Sequence, residues 1–295
     1  MSGEAKLRRS SAVFAGAVRN CGLYLPTVLE NLDRFSAFFL DVRFVFAVSD
    51  TTDDSVAIIR EWLGRGRSGA VLELGRLGDD PDGRTERIAC ARNACLDHIR
   101  DSSAACYDYL VMCDLDNVLG SPVASEGFAA ALDWLDLDRS HAGVFANSSP
   151  YYYDIWSLRH RSWCPHDCWH AIWGRSKRES FIAAKIREVY SRQIALPQAA
   201  TPVEVDSAFG GLGIYRMPYA LRSSYTGNDS EGRPVSEHVS FNRDISRQDG
   251  KLFIVPPLVV QAPQEHLSEG KQSPWWWRLR SSSYRAFNRL RPVSF

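Results

Sequence analysis

The 295-residue chain contains no uninterrupted apolar stretch approaching the length of a membrane span, which leaves no transmembrane helix to be read from it. It has no formal net charge: 35 Lys and Arg stand against 35 Asp and Glu. The basic surplus that an extended nucleic-acid footprint needs is therefore missing, and no nucleic-acid partner is expected. A disulfide framework is also absent. The seven cysteines are odd in number and irregularly spaced, which favours a reduced, cytoplasmic protein. The N-terminal run MSGEAKLRRSSAVFAGAV carries basic residues, but its short apolar part opens a strand pattern, so no signal peptide is read. Neither an internal repeat nor a low-complexity block occurs. What is present is 45% hydrophobic, 12% aromatic and 24% charged residues, enough apolar material for a sizeable core and the composition of a globular enzyme-sized chain.

The first hundred residues alternate strand and helix. Ala12 to Val18 is an apolar run of buried-strand length that ends at Arg19-Asn20. Leu25, Val28, Leu29 and Leu32 then recur at helical spacing. Val42 to Val48 is a second buried strand, closed by Ser49-Asp50, before a helix over Val56, Ile59 and Leu63. Val71 to Leu74 makes a short third strand, Ile88, Ala91, Cys95 and Ile99 form one helical stripe, and Tyr109 to Cys113 is a fourth strand. This order implies an α/β fold with a mostly parallel sheet flanked by helices. Such sheets bind ligands at the carboxyl ends of their strands, which here are Arg19-Asn20, Asp50 and Asp114-Leu115-Asp116. The second half is less regular and rich in aromatics. Residues 141–175 carry Trp156, Trp163, Trp169 and Trp173 with a tyrosine triplet at 151–153, and residues 176–195 look helical. Val203 to Tyr215 reads as one glycine-punctuated strand segment, and Leu252 to Val260 as a strand broken by Pro256-Pro257.

Asp114 and Asp116 flank a leucine just past a buried strand. Two carboxylates at a ligand edge suit Mn²⁺ or Mg²⁺, which can neutralise charge on a diphosphate leaving group; a plain turn is the bland reading. Met112 to Leu119 resembles the first motif of haloacid-dehalogenase-like phosphatases, which would make Asp114 a nucleophile. That motif normally sits on the first strand, whereas three strand–helix units precede it here, and Gly227-Asn228-Asp229 is a poor match to the later acidic motif. The chain resembles more closely the nucleotide-sugar glycosyltransferases of the GT-A fold, by the order of features from Val13 to His266. These are the strand ends at Asn20 and Asp50, the helix with Ala91-Arg92-Asn93, the Asp-x-Asp pair, the strand Ala208 to Arg216 with Gly210-Gly211, the helix start Ser236-Glu237-His238, and a final strand before His266.

The resemblance implies a metal-dependent transferase that moves a sugar from a nucleotide-diphosphate donor to a hydroxyl of a glycan or glycolipid, in cell-surface polysaccharide or glycolipid synthesis. It implies that Asn20, Asp50, Arg84, Arg92, Asp114, Gly210 and Gly211 line the nucleotide-sugar site, with Asp50 at the nucleobase. It also implies that Asp114, Asp116 and His266 bind the metal, with His238 a competitor for the histidine role. Asp50 can equally cap the following helix, and Gly210 and Gly211 can equally mark a bulge. Glu237-His238 stands where the family commonly has Glu-Asp, a departure that leaves Glu237, His238 and Asp206 as candidates for the base and the stereochemistry open.

Cys164-Pro-His-Asp-Cys168-Trp-His170 offers thiols and imidazoles within seven residues, too cramped for an ordinary zinc site. The surrounding tryptophans suit either core packing or an acceptor wall, as a non-catalytic glycan-binding module would also need. The expected organisation is one domain over 11–270 followed by a tail, 274–295, that holds Trp275-Trp276-Trp277 and five arginines without an acidic residue. A basic amphipathic tail of this kind is expected to touch anionic membrane surfaces at the inner face.

Overall fold

A computed structural model describes residues 10–78 and 83–267. The tail at 274–295, and with it the expected membrane contact, lies outside the described residues. Eight strands form a single mixed sheet: β1 (Ser11–Val18), β2 (Asp41–Val48), β3 (Gly69–Glu73), β4 (Tyr109–Cys113), β5 (His141–Ser149), β6 (Val203–Val205), β7 (Leu212–Arg216) and β8 (Lys251–Gln261). Their spatial order is β3-β2-β1-β4-β7-β5-β8-β6. The helices are α1 (Leu25–Ser36), α2 (Ser55–Gly64), α3 (Arg84–Arg100), α4 (Ser125–Leu137), α5 (Cys168–Trp173), α6 (Phe181–Glu188), α7 (Met217–Ala220) and α8 (Glu237–Ser246). None of these is long and apolar enough to cross a membrane.

β1 alternates its side chains between two apolar layers, as a strand buried on both faces must. Phe14 and Val18 join the layer formed with α1, α2 and α4, where Phe35 stacks on Phe128 at 4.3 Å. Val13 and Ala15 join the opposite layer, which takes in α3, α8 and the segment after β5. β1 to β4 pair in parallel, β7 is antiparallel to both β4 and β5, and β8 is parallel to β5. Six strands therefore end at one edge of the sheet, and reversed β7 begins there.

Four expectations change. The run from Val203 to Tyr215 is two strands, β6 at the far edge and β7 beside β4. Pro256-Pro257 does not end its strand: β8 continues to Gln261 past a register shift against Ala146 and Asn147, and the Asn147 amide donates to the Pro256 carbonyl at 3.1 Å. Prolines are tolerated where the ladder is already interrupted. Within 176–195, α6 covers only Phe181–Glu188. Residues 141–149, read only as the start of an aromatic region, form the almost fully buried β5.

Candidate active site

Just past the ends of β1 and β2 stand two residues with left-handed backbone, Asn20 (φ 51°) and Asp50 (φ 49°). Short polar side chains tolerate that conformation because they hydrogen-bond locally. Asn20 Oδ1 accepts from the Thr52 N–H at 2.8 Å, and the Asp50 carboxylate accepts from the Leu77 N–H (3.1 Å) and the Gly78 N–H (3.3 Å). Asp50 thus does not cap α2, whose first-turn Ser55 N–H donates instead to Asp53 at 3.0 Å. By tying back the loop after β3, Asp50 becomes a wall of a cavity of about 450 Å³, with Thr51, Thr52, Val56, Glu73 and Arg76 among its other walls.

One strand over, the Asp114 N–H donates to the Gly211 carbonyl at 2.8 Å, which carries the β4–β7 pairing one step past Cys113 to the start of the Asp-x-Asp pair. Leu115 between the two acids is buried, whereas Asp114 and Asp116 are partly exposed. Arg92, on α3 and 3% exposed, donates from Nη2 to Asp114 Oδ1 at 2.8 Å and from Nε to Glu237 Oε1 at 3.1 Å. Its guanidinium also lies over the Phe209 ring, 4.8 Å from the centroid. The surrounding carboxylates hold Arg92 firmly protonated, against the opposing pull of burial. Asp114 is pushed upward by burial and held back by Arg92. Asp116 is pushed up to about 6 by burial and by the neighbouring charge of Asp114. Arg84, exposed at the start of α3, adds a positive field that favours ionisation of both acids.

The glycines before β7 are required by the protein itself. Gly210 (φ 67°) and Gly211 (φ 88°) occupy the left-handed region. A Cβ at Gly210 would lie 2.7 Å from the Ala146 carbonyl oxygen, and one at Gly211 only 2.3 Å from Val118 Cγ1. The bulge reading accounts for both positions without invoking a sugar.

His266 lies in the turn after β8, exposed, and stacks on Tyr153 with ring centroids 5.6 Å apart. Its neighbour Glu265 accepts from the Asn117 amide at 2.7 Å, which pins this turn to the residue after Asp116. The predicted set Asp114, Asp116 and His266 therefore shares one edge, although no three His, Cys, Asp or Glu side chains among the described residues converge as a metal-holding group.

The candidate bases fare differently. Glu237 is 6% exposed and ion-paired to Arg92. His238 is 2% exposed and stacked on Phe209 at 3.6 Å; among the described residues neither ring nitrogen is hydrogen-bonded, although Nε2 lies 3.4 Å from Glu237 Oε1. Burial and the charge of Arg92 hold it well below the usual histidine range, so it is neutral. Asp206 sits past the end of β6 beside Asp249 and Lys251, at the opposite edge of the sheet. Reversal of β6 puts it there, and it does not join the Asp114 cluster.

A carboxylate that sequence reasoning missed does join it. Asp154 Oδ2 accepts from the Gly210 N–H at 3.0 Å, and the negative charge of Asp154 disfavours ionisation of Asp114. Nothing local marks Asp154; its partner lies 56 residues away. Nor is the Cys/His stretch a metal site. Cys164 and Cys168 are buried and their thiols pushed upward by burial, Asp167 caps α5 through the Trp169 and His170 N–H groups, and His166 pairs with Glu188 at 2.9 Å.

No family model matches the chain, and no curated protein matches it in sequence. Solved structures do match. The mannosyltransferase PcManGT from Pyrobaculum calidifontis, in complex with GDP-Man and Mn²⁺, aligns over 97% of this chain at 15% identity with a TM-score of 0.50. The fold is GT-A. This chain spans 66% of the length of that mannosyltransferase. TarS from S. aureus (11% identity, 97% of this chain and 72% of that one, TM-score 0.47) and the M. tuberculosis glucosyl-3-phosphoglycerate synthase (11%, 97% and 82%, 0.44) are also similar. A GT-A sheet with the Asp-x-Asp pair on its fourth strand does not favour the phosphatase reading of Asp114.

Proposed function

We propose that this chain is a metal-dependent glycosyltransferase that moves a sugar from a nucleotide-diphosphate donor to a hydroxyl of a glycan or glycolipid, in cell-surface polysaccharide or glycolipid synthesis, working in the cytoplasm at the inner face of the membrane. The observation that carries this reading is the placement of Asp114 and Asp116 at the carboxyl end of β4, one strand from β1 and two from the cavity walled by Asp50. A nucleoside fits that cavity, with Asp50 at its rim and the diphosphate directed along the strand ends toward the two acids. The donor and metal of the mannosyltransferase neighbour, GDP-Man and Mn²⁺, are of the same chemical kind.

The donor set suits a hard divalent cation. Asp116 is held near 6 by burial and by Asp114, an arrangement of two crowded acids that a cation relieves. Asp114, Asp116 and the imidazole of His266 would hold Mn²⁺ or Mg²⁺. When bound, the ion supplies positive charge to the departing diphosphate. Arg92 favours the ionised form of Asp114 against the effect of burial and orients it. Glu237, on the other side of Arg92, couples that orientation to α8. Arg84 adds positive charge at the mouth of the site. Trp173, exposed and stacked on Trp169, offers an aromatic face for sugar C–H surfaces on the acceptor side.

The test is incubation with Mn²⁺ and a panel of GDP- and UDP-linked hexoses, with nucleoside diphosphate release measured. Release that depends on Mn²⁺ and disappears in Asp116→Ala is expected. Turnover of p-nitrophenyl phosphate lost in Asp114→Asn, without donor cleavage, would establish the phosphatase instead. Glycan binding unaffected by Asp116→Ala, without any nucleotide binding, would establish a binding module.

A further inference from the structure

Transfer to a hydroxyl releases a proton, and none of the three acceptors read from the sequence is placed to take it. Glu237 is committed to Arg92, His238 is sealed between Phe209 and Tyr225, and Asp206 is across the sheet. We propose that Asp154 is the catalytic base. This assignment rests on the glycosyltransferase reading and names the group that reading leaves open.

Three observations place Asp154. It follows Tyr152, which is fully buried, at the point where the chain leaving β5 turns back to the strand-end edge; Tyr153 and Asp154 are only half-buried there. Gly210, whose N–H it binds, precedes Gly211, whose carbonyl receives the Asp114 N–H. Two consecutive residues thus tie Asp154 and Asp114 to one backbone turn, and Tyr153 brings its hydroxyl to within 3.5 Å of a Cβ built at Gly211. Third, the hydrogen bonds on Asp154 are unevenly divided. Oδ2 accepts from the Gly210 N–H and the Ser157 hydroxyl, whereas among the described residues Oδ1 has only the long contact from the Ser157 N–H at 3.4 Å. One oxygen is anchored and the other retains lone pairs for a substrate hydroxyl, the form of a positioned general base.

The step balances without another reagent. The acceptor oxygen forms a bond to the anomeric carbon as the bond from that carbon to the diphosphate oxygen breaks. The nucleoside diphosphate leaves with the bonding pair, and the acceptor proton passes to Asp154 Oδ1.

The experiment compares wild type with Asp154→Asn, using water as acceptor and the donor that wild type cleaves fastest in the panel above. Asparagine keeps an acceptor for the Gly210 N–H and a partner for Ser157, so the fold is retained; a thermal melt and the affinity for the nucleoside diphosphate with Mn²⁺ check this. The proposal expects unchanged nucleotide affinity and a turnover about 10² to 10⁴-fold lower, the range for loss of a general base. Asp154→Glu, which restores a carboxylate, recovers part of the loss. Asp154→Asn turning over within about threefold of wild type overturns the assignment alone, as does a rate loss matched by an equal loss of nucleotide affinity. A wild-type chain that cleaves no donor overturns the glycosyltransferase reading and the assignment with it.

Discussion

From Ser11 to Cys113 the four strands run parallel to one another and pack under helices that follow in sequence, whereas from His141 to Gln261 two of four strands are reversed and long irregular segments lie between them. The first half makes its part of the site with backbone: strand ends turned by Asn20 and Asp50, each tied to a nearby loop. The second half makes its part with contacts between distant residues, Glu237 reaching back to Arg92 of the first half and Asp154 binding Gly210. The first half is held by its parallel ladder and the apolar layers on its two faces, whereas the second half depends on a few polar links between distant residues.

If that contrast is right, the largest loss comes from Arg92→Met. Removing it leaves Asp114 and Glu237 buried without their shared cation, and stability should fall by about 3–5 kcal/mol in urea titration. The matching change at a pair lying wholly within the first half, Arg67→Ala, removes a half-exposed pair with Asp33 and should cost only about 1 kcal/mol. Equal losses would break the comparison. Within the aromatic segment, Trp163 is 4% exposed and donates to the Arg192 carbonyl at 2.7 Å, while Trp173 is 65% exposed. Trp163→Ala should lower stability by about 3–5 kcal/mol, whereas Trp173→Ala should change it by less than about 1 kcal/mol, its effect appearing in acceptor KM. Gly211→Ala combines a left-handed backbone with collision against Val118, and about 2–3 kcal/mol is expected from thermal melts.

A smaller effect is pH-dependent. The folded-state value of Asp116, about 6, lies above its ordinary 3.8 because of burial and Asp114. Between those values the folded chain holds a proton that the unfolded chain has released, so native stability falls as pH rises from about 4 to 6. Metal-free wild type should lose on the order of 2 kcal/mol relative to Asp116→Asn across that window. A flat difference between the two would show that Asp116 is not crowded.

The contrast also decides what could be read from sequence. β1 to β4 are legible because Ala, Val, Phe and Leu cluster in runs of strand length, and the edge carrying Asp114 follows from their order. β5 was not, because Ala142, Gly143, Ala146 and Asn147 dilute its apolar signal, and its burial comes from neighbours that arrive later in the chain. α4 went unread although Phe128, Ala131, Leu132 and Leu135 carry a helical stripe; that signal was available. β6 and β7 merged into one because no local feature says that a strand will cross the sheet. Asp154, the base proposed above, is hidden from the sequence for a related reason. Sequence order draws attention to Glu237-His238, and only folding shows Arg92 closing over Glu237 and Phe209 over His238.

The most direct measurement is calorimetric titration of GDP and UDP into the chain with and without Mn²⁺, for wild type and Asp116→Ala. The account predicts that one nucleotide binds wild type only when Mn²⁺ is present and that Asp116→Ala abolishes this binding. Binding that ignores both Mn²⁺ and Asp116, or no binding of either nucleotide, would contradict it.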